Sequence, residues 1–139
     1  MGDEQYVTFS TAKMLRRNGF ARRCRSYYLS DGNRYEHCHQ EVLPLGAKIY
    51  PCPTQAEVMK WLREEHNIAV SPLPYRYPGV WRVMLVYLGE PAEKDDKYDI
   101  CMLEKNHASF EEAAEAGIRH VVKEIVALVR EILSKTSRT

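Results

Sequence analysis

Two stretches of this chain hold residues with reactive or charge-recognising chemistry. The first is His37-Cys38-His39, flanked by Glu36 and Glu41, and the second is the run Lys13, Arg16, Arg17, Arg22, Arg23, Cys24 and Arg25. In an extended strand His37 and His39 project from one face and Cys38 from the other, so the three cannot ligate one metal without distorting the strand. Structural zinc sites use paired ligands such as Cys-x-x-Cys, and the chain has no such pair. The expectation is therefore no metal and no cofactor. Cys24 between Arg23 and Arg25 has the electropositive neighbours that favour a thiolate nucleophile, but the sequence supplies no base to pair with it. Glycine-rich phosphate loops of the G-x-G-x-x-G or G-K-S/T type are missing as well. An enzyme built on Cys24 or on His37 and His39 is the weakest of three readings.

Charge is unevenly spread. The net charge is +1, yet residues 5–30 carry six cations and no carboxylate, so the other residues sum to −5. A polyanion would meet one basic end. Lys13, Arg16, Arg22, Arg23 and Arg25 supply phosphate contacts, and Tyr27 and Tyr28 follow as stacking platforms, which together suit single-stranded nucleic acid. The competing reading makes Lys13, Arg16 and Arg17 a solvated helix face and pairs the other arginines with acids such as Glu36 and Glu41.

Elements must position these residues. A first helix runs over about Ser10–Asn18, capped by Thr8 or Ser10 and stopped by Gly19, with Phe20 folding back on Leu15. Cys24–Ser30 and Tyr35–Val42 read as a hairpin about Asp31-Gly32-Asn33, followed by a short strand at Ala47–Tyr50. A second helix, Pro53–His66, has a capping box of Thr54 and Glu57, a stripe of Val58, Trp61 and Leu62, and a stop at Asn67. Trp61 belongs to the core, and His66 near the helix C-terminus is favoured as a cation by the helix dipole. Ile68–Ser71 is a strand, and Pro72, Pro74, Pro78 and Gly79 predict an irregular loop bearing Tyr75 and Tyr77. Val80–Leu88 suits a central strand, and the charged segment 89–97 turns it into a partner at Tyr98–Glu104.

The last helix opens on Ser109 and Glu112 and runs about 25 residues with Phe110, Ala114, Ile118, Val121, Ile125, Leu128 and Ile132 as one stripe. Val122, Val126, Val129 and Leu133 form an adjoining stripe, so the apolar arc is wider than one sheet face needs. That excess points to self-association through the second stripe. The fold class expected is α+β, one domain over residues 1–139 with frayed ends at 1–8 and 135–139. Its sheet is mostly antiparallel with five to six strands, and its three helices follow the order α-β-β-β-α-β-β-β-α. No apolar run is long enough to cross a bilayer and the first residues are polar, so the chain reads as cytoplasmic with Cys24, Cys38, Cys52 and Cys101 as free thiols.

Three segments carry a likeness: Thr8 to Phe20; Pro53-Thr54-Gln55 with Trp61-Leu62-Arg63-Glu64-Glu65-His66; and Ser109 to Ala113 with Gly117-Ile118. The chain resembles a family of small uncharacterised bacterial and prophage-associated proteins with the same three-part layout. The resemblance implies a fold and no reaction, ligand or catalytic residue. The reading that follows is a non-enzymatic interaction module of prophage or mobile-element type, homodimeric through the last helix, with nucleic-acid binding as the alternative and no membrane partner.

Overall fold

A computed structural model describes residues 5–36, 48–88 and 100–137. The elements are α1 (Phe9–Arg17), β1 (Ser26–Tyr28), β2 (Arg34–Glu36), β3 (Tyr50–Cys52), α2 (Gln55–His66), β4 (Ile68–Tyr75), β5 (Tyr77–Tyr87), β6 (Ile100–His107), α3 (Phe110–Val121), a π-helical turn (Val122–Val126) and α4 (Ala127–Ser137). The expected α+β class and element order stand, but among the described residues the strands form two antiparallel sheets of three rather than one, in the orders β2-β1-β3 and β4-β5-β6. Among the described residues β1 to β3 are three residues each and β4 to β6 eight to eleven.

Local chemistry sets most boundaries. The Thr8 hydroxyl accepts from the Thr11 N–H to cap α1, and Gly19 at φ +91 ends it as its side-chain-free backbone allows. Thr54 and Glu57 close the reciprocal capping box of α2, and Asn67 stops it in the left-handed region at φ 58. The expected proline loop is instead strand. Leu88 N–H donates to the Asn67 carbonyl, so positions 69, 71 and 73 of β4 turn their N–H groups toward β5. Pro72 and Pro74 fall on the other parity and face the open edge, where proline loses no ladder bond.

Segment 5–8 is not frayed. Gln55 N–H donates to the Gln5 carbonyl, Tyr6 bridges to Thr54, and Val7 is fully buried. The core lies between α3 and the β4-β5-β6 sheet and extends under α1 and α2, built from Leu15, Val58, Leu62, Val70, Val83, Ile118 and Val121. Gly117 lets α3 sit directly on the sheet: a Cβ there would lie 2.6 Å from Val83 Cγ2 and 2.7 Å from Val70 Cγ1.

The three resembling segments meet at one polar junction, buried at Gln55 and open to solvent at Thr8. Gln55, 3% exposed, donates from Nε2 to the Glu111 carbonyl at 2.9 Å and to Glu115 Oε1 at 3.0 Å. Thr8 donates its N–H and hydroxyl to Glu115 Oε2 at 3.0 and 3.1 Å. Arg119 donates to the Ser10 and Thr11 hydroxyls, both at 3.0 Å. One carboxylate thus ties the starts of α1 and α2 to α3, and each motif segment has a role in specifying the fold. Among the described residues no buried side-chain polar atom lacks a partner, and no helix is long and apolar enough to cross a membrane.

Candidate functional site

The basic run bends into a groove. After Gly19 the chain leaves α1 in an extended path, pinned by Phe20, whose ring packs edge-on against Trp61 at 5.1 Å. This path carries residues 21–25 past the C-terminal end of α2, where Arg22 Nη1 meets Glu64 Oε1 at 2.9 Å and Nη2 meets Glu65 Oε1 at 3.4 Å. The Arg22 bond holds the Glu64 carboxyl below its ordinary range. The expected partners of Arg22 were Glu36 and Glu41; α2 supplies them instead, and Glu41 lies outside the described residues.

Arg16, Arg22, Arg23 and Arg25 line an open groove of about 940 Å³ whose other walls include Cys24, Ser26, Tyr27, Ile49 and Pro51, with Glu36 as the one carboxylate among the described residues that line it. Arg23 and Arg25 are exposed and make no ion pair with a described residue. Arg16 lies over the Tyr50 ring at 5.2 Å, and Lys13 lies over Phe9 at 4.8 Å, outside the groove lining. Chemically this is a cluster of planar guanidinium forks, the geometry that grips phosphate or carboxylate oxygens in pairs.

Two expectations about this region need correction. Tyr27 and Tyr28 are not stacking platforms: they are 1% and 9% exposed, Tyr28 within the core and Tyr27 on the opposite face of β1. The Tyr28 hydroxyl donates to the Val7 carbonyl at 2.6 Å, and Tyr27 stacks on Tyr35 at 5.7 Å. Cys24 is no thiolate either. Burial, reinforced by the Glu57 charge, pushes its thiol up to about 11, and the thiol donates to the Arg22 carbonyl at 3.4 Å. Burial likewise raises the Cys52 thiol. His37, Cys38 and His39 lie outside the described residues, and among those described no group of three or more ligating side chains could hold a metal.

The last helix divides in function at its π turn, where Ala127 N–H bonds to the Val122 carbonyl. Val122 and Val126 are fully buried in the chain's own core, so they cannot serve as intermolecular contacts, contrary to expectation. Val129 and Leu133 continue that seam at spacings of three and four residues, yet are 43% and 62% exposed. Leu128 and Ile132 were expected in the core stripe and are each 53% exposed. Past Val126 the helix overhangs the described body: among the described residues α4 packs chiefly on the π turn, and Arg130 Nη1 lies 2.5 Å from where a Gly19 Cβ would sit. A signal for this was present in the helix length, since 110–137 spans roughly 42 Å at 1.5 Å per residue, longer than a helix needs to cross a three-stranded sheet.

His66 also departs from expectation. Its ring meets Trp61 edge-on at 4.7 Å, and burial, against the Glu65 charge and with the Arg130 charge, lowers its pKa.

Comparison of the chain with protein-family models, curated proteins and solved structures gives no match.

Proposed function

We propose that the chain is a non-enzymatic interaction module that self-associates through α4. The observation that supports this most is the overhanging seam, on which Val129 and Leu133 extend a line of buried valines beyond the edge of the body, with Leu128 beside them. A helix with an apolar seam and flanking charges of both signs, here Lys123, Glu124, Arg130, Glu131 and Lys135, is self-complementary about a two-fold axis. The same reading makes it a module of prophage or mobile-element type that works in the cytoplasm. Light scattering at tens of micromolar protein gives twice the chain mass for the wild type and the chain mass for Val129→Glu with Leu133→Glu. A wild type that stays monomeric there removes the proposal.

A second reading, nucleic-acid binding, is supported by the groove of Arg16, Arg22, Arg23 and Arg25. With Tyr27 and Tyr28 buried, it rests on phosphate contacts alone, so affinity falls steeply with added salt and is insensitive to base sequence. Charge reversal at Arg23 and Arg25 abolishes it. Unchanged binding in that variant rules the groove out.

A further inference from the structure

The tip of the β4–β5 hairpin belongs neither to α4 nor to the arginine groove. From Asn67 to Leu88 the chain has no carboxylate and two arginines, Arg76 and Arg82, both at this tip. The Arg82 guanidinium lies 3.8 Å from the Tyr75 ring centroid and that of Arg76 lies 5.1 Å from it. Arg82 is fixed in that position because its Nε donates to Asn106 Oδ1 at 2.7 Å. The result is a layer of flat groups with positive charge spread over it. Next to this layer Tyr77 is 69% exposed, far more than a tyrosine needs to keep its hydroxyl in water. Trp81, opposite Pro74 in the register, packs edge-on against Phe110 at 5.7 Å and braces the base of the tip.

Arg76 itself is held at φ +65, the left-handed region that glycine occupies without cost and other residues occupy at a price in strain. Gly79, at φ +82, stands three residues on within β5. Keeping arginine at 76 retains a guanidinium at the tip at the expense of backbone strain, a pattern found at ligand-binding turns.

We propose that this tip is a stacking seat for unpaired bases of a single-stranded nucleic acid, with Tyr77 and the Tyr75 layer as the stacking faces and Arg76 as the phosphate contact. Bases rather than acidic side chains are favoured because Arg82 is held between the Tyr75 ring and Asn106, so flat surface is most of what the tip offers, and the more distant Arg76 is left for a phosphate. The seat is independent of the self-association reading.

The test is titration of the full chain with a thymidylate oligonucleotide of about ten nucleotides, followed by tryptophan emission. Trp61 is 4% exposed, so quenching reports Trp81 beside the seat. Tyr77→Ala weakens binding about tenfold or more, the usual scale for loss of one base–aromatic stack. Arg76→Gly keeps the turn geometry without strain and also weakens binding, which separates lost recognition from lost folding. Quenching that survives both substitutions, or that disappears only when Arg23 and Arg25 are reversed, overturns the proposal. So does equal competition by polyglutamate, which would assign the tip to an acidic protein partner, or the lack of any quenching with the wild type.

Discussion

The junction under Thr8, Gln55 and Glu115 and the overhanging helix α4 sit on one chain and solve opposite problems. At the junction each polar atom has a partner and each motif segment contributes one, so its residues are accounted for by folding alone. On α4 the apolar residues Val129 and Leu133 repeat the spacing of buried valines but stand exposed, with no described element packed over them. The most recognisable residues of the chain therefore specify its architecture, and its outward-facing chemistry lies where no motif was visible.

The contrast can be broken from either side. The largest effect belongs to the body: Leu62→Ala removes a fully buried side chain and lowers unfolding free energy by about 3 kcal/mol, read from a denaturant midpoint. Gly117→Ala comes next, at about 1–2 kcal/mol, since the new methyl meets two valine methyls and the strain outweighs alanine's better helix propensity. If the variant is as stable as wild type, α3 does not sit tightly on the sheet. Val129→Glu with Leu133→Glu shifts the stability of the isolated chain by no more than about 0.5 kcal/mol, as expected for exposed positions, while abolishing association. Unfolding by that pair would make α4 part of the body and erase the contrast.

The smallest effect is a pH dependence at His66. Its folded pKa lies below its unfolded one, so protons bind the unfolded chain more readily. The contribution is complete above the ordinary histidine range and is lost as pH falls through that range toward the folded value. His66→Gln flattens that part of a stability–pH curve; an unchanged slope would deny the burial of the ring against Trp61.

Sequence signals that act over a few residues were the legible ones. Capping at Thr8, Thr54 and Ser109, the stops at Gly19 and Asn67, and the stripe of Val58, Trp61 and Leu62 appear in the structure as read. What failed depends on neighbours distant in sequence. Pro72 and Pro74 read as loop because only pairing parity shows that they face an open edge. Tyr27 and Tyr28 read as exposed because their burial comes from residues brought over the two faces of β1, Tyr35 on Tyr27 and Phe9 on Tyr28. Leu128 read as core because periodicity cannot say where the body ends. The candidate site was half legible: the charge asymmetry located Arg16, Arg22, Arg23 and Arg25, but the α2 carboxylates that anchor Arg22 come from more than 40 residues away.

Amide hydrogen exchange along the last helix, measured at high and low protein concentration, tests the central contrast most directly. Amides of residues 129–133 exchange slowly when the protein is concentrated and speed up on dilution, while those of 113–122 stay equally protected at both concentrations. Protection at 129–133 that does not change with concentration would contradict the assignment of α4 as the surface through which the chain self-associates.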